Sequence, residues 1–399
     1  MTERPARDLA RFAVPAVVAV VLLSLVPVLI RRTACISSEE WPHPPHWCYT
    51  QIPHLLFDEQ LSDGRIPYLQ PCRPQPTPCD EYPVLTMYGM RAAAAVSVDP
   101  ARYFVASGLI LLMAGLASAL ALARLVGARA LFFAAAPTLI LYAFMNWDLL
   151  AVAGMVLAVA AALRRRPSAA GVATGLGTAA KFFPLLTSVP LALHLQDRRS
   201  VGRLAGLAAV SWLAVNLPFA ILGWRGWIEF YRLNATRPPD PDSLWSIACV
   251  RGLGMTRCGP TSLINLLSLG VFLAGVVVVW RARTGRHPDT PVWTLGFAVL
   301  AIFFLANKVY SPQYDLFLLP WFALVLPDIR LFTAFELAGF AVYVTRAPGI
   351  GAFPGNSVYV ATLLRDLVLV ACVVAYVKRP LQFVGSTTLD AAIVGAPGL

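Results

Sequence analysis

Three groups of polar residues stand out from an apolar chain, and their types suit group transfer from a phosphate. The first lies between Arg31 and Pro83, where carboxylates at Asp58, Glu59, Asp63, Asp80 and Glu81 accompany Cys35, Cys48, Cys72 and Cys79. The second is Ala180-Lys181-Phe182-Phe183-Pro184, a cation inside an apolar run, and the third is the polar island Asn307-Lys308-Val309-Tyr310-Ser311-Pro312-Gln313-Tyr314. Attack by a hydroxyl on a sugar carbon that bears a phosphate needs a general base near the hydroxyl and cations near the departing phosphate. Glu81 suits the base, with Asp58 and Asp63 as alternatives. Lys181 and Lys308 suit the phosphate, with Tyr310, Gln313 and Tyr314 beside Lys308. Asp148, Arg237 and Arg346 are weaker members of the set. His43, His46 and His54 are further acid–base candidates, but prolines around the first two make loop packing their default role.

An ammonium inside a membrane segment costs at least about 2.5 kcal/mol, so Lys181 needs a counter-charge or a wet cavity. A lipid phosphate is the obvious anion, and snorkelling to the headgroup layer is the plainer alternative. No metal is expected, because no tight Cys-x-x-Cys spacing occurs, and no cofactor is expected either.

The elements that must position these groups are membrane helices. Of 399 residues, 58% are hydrophobic and 13% charged, whereas a soluble domain carries about a quarter charged residues. The expected fold is therefore all-α: one polytopic helical domain over 1–380 with about 10 transmembrane segments. Phe12 to Ile30, Tyr103 to Ala123 and Leu295 to Ala306 are apolar on nearly every face, which excludes the period-two strands of an outer-membrane barrel.

The net charge of +11 is an orientation signal. Arg4, Arg7 and Arg11, Arg124 and Arg129, Arg164 to Arg166, Arg198, Arg199 and Arg203, Arg281, Arg283 and Arg286, and Lys378 and Arg379 sit in short clusters between apolar runs. Placing all of them in the cytoplasm satisfies the positive-inside rule for a multi-pass plasma-membrane protein with both termini inside. No basic, aromatic-interleaved soluble face remains for nucleic acid. The first apolar run is longer than a cleaved signal's h-region and reads as a signal anchor.

This topology puts 31–98 outside, as a loop ending in an amphipathic surface helix over Pro83 to Val98, and makes 381–399 a flexible cytoplasmic tail. Helices follow at Tyr103 to Ala123, Ala130 to Met145 and Leu149 to Leu163, with Asn146-Trp147-Asp148 at an outer turn. Ala169 to His194 is bounded by cytoplasmic arginines yet is only about 26 residues long, so a re-entrant or short helical hairpin centred on Lys181 is expected. Further helices are expected at Leu204 to Leu222, Leu263 to Trp280, Val292 to Ala306, Asp315 to Leu326, Leu331 to Val344 and Val358 to Val377, the last with a charge pair at Arg365-Asp366. Cys35, Cys48, Cys72, Cys79, Cys249 and Cys258 then all face the oxidising side, and only Cys372 lies inside a helix. Cys72 with Cys79, Cys249 with Cys258 and Cys35 with Cys48 are the simplest pairings, although spacing leaves connectivity open.

The ordered set Tyr49-Thr50-Gln51-Ile52, Gly64-Arg65-Ile66-Pro67-Tyr68, Glu81-Tyr82-Pro83-Val84-Leu85, Asn146-Trp147-Asp148, Lys181-Phe182-Phe183-Pro184 and Asn307 to Tyr314 resembles the GT-C superfamily of membrane glycosyltransferases. In particular it resembles the mannosyltransferase-like proteins of glycosyltransferase family 87, and it is similar to the first mannosyltransferase of GPI-anchor synthesis. The resemblance implies inverting transfer of a hexose, usually mannose, on the outer face. The donor would be a polyprenyl-phosphate sugar and the acceptor a cell-envelope glycan or glycolipid, with membrane lipids as surroundings and no obligatory metal. Where the family carries an acid proposed as catalytic, this chain has Gln51 and then Pro53. An amide cannot act as a base at neutral pH. Either Glu81, Asp58 or Asp63 takes that role, or the chain binds the lipid and sugar without transfer. A lipid transporter is the third reading, disfavoured because the polar groups gather at one face rather than along a path through the middle.

Overall fold

The computed structural model describes residues 4–38, 46–75, 78–249, 260–346 and 356–381. Every regular element among them is a helix. Helix α1 (Arg4–Ile36) leads to the cysteine-bearing loop, where α2 (Ile52–Asp58) precedes α3 (Val84–Val96) and α4 (Pro100–Val126). The hairpin region comprises α5 (Asp148–Leu163), α6 (Pro167–Ala180) and α7 (Phe183–Leu195), followed by α8 (Arg198–Leu222) and the short α9 (Glu229–Thr236). The C-terminal part holds α10 (Thr261–Arg286), α11 (Leu295–Ala306), α12 (Ile329–Arg346) and α13 (Ser357–Lys378).

Among the described residues, five stretches are long and apolar enough to cross a membrane singly: Ala13–Ile36, Pro100–Ala134, Arg198–Leu222, Thr261–Arg286 and Ser357–Lys378. About ten segments were expected; several of the rest are shorter or broken, and proline is the cause where they break. The expected helix over Ala130 to Met145 is instead Leu131–Ala134 followed by Pro137–Tyr142. Pro137 opens the second piece, because its ring and missing N–H cannot continue the first. Likewise the expected helix from Asp315 is a 3₁₀ segment, Pro312–Phe317, and then Leu319–Leu324, with a proline in the first turn of each. The expected break at Lys181 is present: α6 stops there, Lys181 is extended, and Pro184 stands in the first turn of α7.

Small residues set the spacing around this hairpin. A Cβ on Gly154 of α5 would lie 2.5 Å from the Gly177 Cα of α6. On the other side of α6, a Cβ on Gly175 would lie 2.4 Å from the Ala208 carbonyl oxygen of α8. Such close approach of backbones is a recurrent way for membrane helices to associate without a hydrophobic driving force. It also brings the first residue of α5, Asp148, to the end of α6 where Lys181 begins. By contrast α8 and α10 leave Leu213, Leu217, Leu222, Leu266, Leu269 and Leu273 exposed, as a lipid-facing surface would.

The proposed Cys249–Cys258 pairing lies partly, and the tail over 382–399 wholly, outside the described residues.

Candidate active site

The cysteine-bearing loop after α1 owes its shape to a buried polar core. Arg65 donates to both Asp80 carboxylate oxygens, at 2.7 and 3.1 Å, and its Nε donates to the Glu59 carbonyl at 3.1 Å. The Glu59 carboxylate accepts the Asp80 N–H at 2.6 Å, and Asp80 accepts the Tyr68 N–H at 3.0 Å. Tyr68 sits at φ 65, a left-handed conformation that costs a bulky residue energy and persists only where surrounding bonds demand it. Here its hydroxyl donates to the Tyr82 carbonyl at 2.7 Å, so the same residue that closes the loop core also fixes the backbone next to Glu81. Two disulfides tie the loop down: Cys35–Cys48, with Cα atoms 6.0 Å apart, and Cys72–Cys79, at 6.2 Å.

Glu81 and Tyr82 lead into α3. The Asn146 amide donates to the Gln51 side-chain carbonyl at 2.6 Å and to the Tyr82 hydroxyl at 2.8 Å. Gln51 N–H donates to the Met145 carbonyl at 3.0 Å, and the Thr50 hydroxyl to that of Phe144 at 2.6 Å. Position 51 is thereby docked on the Asn146-Trp147-Asp148 turn. One turn into α3, the Thr86 hydroxyl donates to the Ala180 carbonyl at 2.7 Å, which holds the Lys181 break against the Glu81 segment.

The Lys181 ammonium pairs with the fully buried Asp148 carboxylate and lies 4.3 Å from the centre of the Tyr314 ring. Internal pairing thus supplies the counter-charge that an intramembrane lysine needs. The third part arrives with α9. Arg237, just past its end, pairs with Asp240 at 3.3 Å. The Asp240 N–H donates to the Lys308 carbonyl at 2.9 Å, and the Lys308 ammonium donates to the Ala235 carbonyl at 3.3 Å. Arg237 is close enough to act electrostatically on Glu81, Lys181 and Lys308.

The charges are unequal in kind. Burial pushes the Lys308 ammonium down to about 8, and Arg237 pushes the same way. Among the described residues no ion pair contains Lys308. It is a buried cation beside another cation, an arrangement that an anion would relieve. Burial raises the Glu81 carboxyl above its ordinary value; Arg237 opposes this and Asp58 adds to it. Glu59 is raised to about 8 by complete burial and the Glu81 charge, so at neutral pH it holds its proton and cannot accept another.

The structure brings Lys181 into contact with Asp148 and Tyr314, and puts Arg237 within electrostatic reach of Glu81, Lys181 and Lys308. Tyr310 and Gln313 are buried in the same island, Tyr310 donating to Asp315 at 2.6 Å. Asp58 is exposed and reaches Glu81 only through space. Asp63 is not part of the group: it pairs with Arg73 on an exposed part of the loop. His54 lies beside Tyr49 with the rings tilted by 36° and their centres 6.3 Å apart. Arg346 holds Asp242 at 3.0 Å, and Arg365 holds Asp366 at 3.2 Å. The sequence shows Glu59 only as one of several loop acids and Asn146 only as a motif member, and Asp242 was missed; the partners of Asn146 and Asp242 lie far away in the chain, so residue type gives no signal of those contacts. The one cluster of metal-ligand types among the described residues, Cys72, Cys79 and Asp80, has its sulfurs joined in a disulfide.

A half-buried carboxyl with a raised pKa near Arg237, which also acts on Lys181 and Lys308, can take a proton from a hydroxyl while cations hold an oxyanion. A groove of about 880 Å³ between α1, α3 and α4, lined by Ala92, Val96, Val105 and Leu109 with Arg102 at its edge, lies at the other end of α3 from Glu81.

Residues 82–312 match glycosyltransferase family 87. Among solved structures the chain is similar to ArnT from Cupriavidus metallidurans in the apo state, at 17% identity and TM-score 0.49, covering 90% of this chain and 73% of that one. It is also similar to ArnT from the same organism bound to undecaprenyl phosphate, at 16% identity and TM-score 0.44, covering 94% and 77%. No curated protein matches the chain.

Proposed function

The chain belongs to glycosyltransferase family 87, and on that premise we propose that it transfers a hexose, mannose by family resemblance, from a polyprenyl-phosphate sugar to a cell-envelope glycan or glycolipid at the outer membrane face. The observation that carries this reading is that Arg237 lies close enough to act on Glu81, Lys181 and Lys308, three groups from distant parts of the chain. In the reaction, an acceptor hydroxyl oxygen forms a bond to the anomeric carbon as the bond from that carbon to the phosphate oxygen breaks. The hydroxyl proton passes to the Glu81 carboxylate, and the electron pair leaves with the phosphate. Opposite-side attack inverts the anomeric centre.

The cations divide the work. Lys181 is already neutralised by Asp148 and contributes a fixed dipole and a wall of the site. Lys308 and Arg237 carry the charge that meets the phosphate, because Lys308 has no carboxylate partner among the described residues and the Arg237–Asp240 pair, at 3.3 Å, is partly open to solvent. Asp58, Asp63 and Glu59 are poorer bases: the first two are exposed, and the third is protonated at neutral pH. Gln51 accepts from Asn146 and keeps the position orderly where relatives place an acid, so the base duty falls to Glu81, one residue from Tyr82 on the same Asn146.

Purified protein given polyprenyl-phosphate mannose and a lipid acceptor is expected to release polyprenyl phosphate and extend the acceptor. Glu81→Gln is expected to slow transfer about 10²- to 10⁴-fold, the usual worth of a general base, with donor affinity retained. Full activity in that variant would remove Glu81 from the role. Donor binding by the wild type without turnover would instead favour a binding protein, the reading that Gln51 itself motivates.

A further inference from the structure

The loops that carry Arg237 and Lys308 are not held by each other alone. They are stitched together by the Asp240 N–H on the Lys308 carbonyl, by the Trp245 indole N–H on the Ala306 carbonyl at 2.8 Å, and by the Ser311 hydroxyl on Asp240 at 3.3 Å. Beneath both lies one residue of α13. The fully buried Arg365 guanidinium donates through Nη1 to the Tyr310 carbonyl at 3.2 Å and through Nη2 to the Asp242 carbonyl at 2.7 Å. Its Nε donates to Asp366 at 3.2 Å, and its carbon centre lies 3.5 Å from the middle of the Tyr310 ring. Tyr310 is two residues beyond Lys308, and Asp242 is five beyond Arg237.

We infer that Arg365 is a positioning residue for the donor-phosphate site: its fork clamps the Arg237 loop to the Lys308 loop and so fixes the separation of the two cations that meet the phosphate. The inference rests on the reading of Arg237 and Lys308 given above. A planar guanidinium is the group for this task, because it presents donors in several fixed directions within one plane and stacks on an aromatic face, while an ammonium is a compact point charge. A charge partner for Asp366 alone would need only one of these contacts. The two backbone carbonyls explain why the residue is an arginine, and both belong to the loops that bear the site cations. Neither contact touches the reacting atoms, so the effect on transfer is through geometry.

Arg365→Lys tests this, since it keeps the buried charge opposite Asp366 and loses the fork. In detergent-solubilised full-length protein, binding of undecaprenyl phosphate is expected to weaken tenfold or more, with the donor KM rising alike. Amide hydrogen exchange is expected to accelerate in both 235–249 and 306–314 while the hairpin around Lys181 stays protected. Trp245→Phe, which removes the indole N–H from the Ala306 carbonyl, loosens the same pair of loops without touching any charge. It is expected to reproduce the rise in KM in weaker form should the lysine variant fail to fold. Unchanged affinity and unchanged exchange in a folded Arg365→Lys would overturn the clamp. So would a loss of melting temperature with exchange raised everywhere, which is what a purely structural role predicts. Failure of the wild type to bind any polyprenyl phosphate would overturn the proposed function instead, and the exchange comparison would still decide whether Arg365 joins the loops.

Discussion

Removing the carboxylate of Asp148 tests how Lys181 is tolerated. The Asp148 side chain is 0% and that of Lys181 20% exposed, so solvent screens the pair little. Two unit charges about 4 Å apart at an effective dielectric of about 20 attract by roughly 4 kcal/mol, and breaking a buried pair by removing one member costs about 3–5 kcal/mol. After Asp148→Asn, the Tyr314 ring 4.3 Å from the ammonium still offers Lys181 about 1 kcal/mol of cation–π attraction. The expected loss is therefore at the lower end, about 3 kcal/mol. Lys181→Met leaves a carboxylate with no cation and with one oxygen already lacking a hydrogen-bond partner, and is expected to cost about 4–5 kcal/mol. The double variant removes both charges and is expected to lie within about 1–2 kcal/mol of wild type, a coupling far above the errors of a cycle. Denaturant titration of the four proteins in one micelle, with transfer measured alongside, reads this out. Additive losses, or single variants within about 1 kcal/mol of wild type, would refute the pairing as the reason Lys181 is accommodated.

Other expectations follow from the same geometry. The transfer rate should fall on acidification as Glu81 takes up a proton, at a pH above the ordinary glutamate range because burial raises it. It should also fall as pH rises through about 8, where Lys308 loses its charge; in Lys308→Arg the alkaline limb should move out of the measurable range, and a limb that stays would acquit Lys308. Glu59 binds a proton in the folded protein up to about pH 8 but only to about pH 4.3 when unfolded. Stability should therefore decline as pH rises between those values and level off above them. Glu59→Gln should flatten that decline in denaturant titrations across the range. Gly177→Val should lower melting temperature and transfer together, since a Cβ there would meet Gly154 and Pro184 at 3.1 Å and overpacking costs about 1–3 kcal/mol or more; an unchanged melting point would contradict the close crossing. A membrane-impermeant thiol reagent should label Cys35, Cys48, Cys72 and Cys79 only after reduction, and labelling without reductant would count against the two disulfides.

Some of this was written in the residues themselves. A chain so apolar can satisfy its backbone in a membrane only through helices, and the hairpin break was legible at Lys181 because a cation and a nearby proline interrupt a run too short to cross twice. The breaks at Pro137 and in the 312–320 stretch were equally written there, and continuous apolarity hid them. The candidate base and cations were visible as polar residues out of place. Their partners were not: Asp148 neutralises Lys181, Asn146 joins Gln51 to Tyr82, and Arg365 reaches Tyr310 and Asp242, in each case across tens of residues or more. Amino-acid type states what a side chain can offer. Burial and long-range packing decide which charge is spent on a neighbour, as at Lys181, and which is left for a ligand, as at Lys308, because desolvation and pairing act only between groups that the fold has brought together.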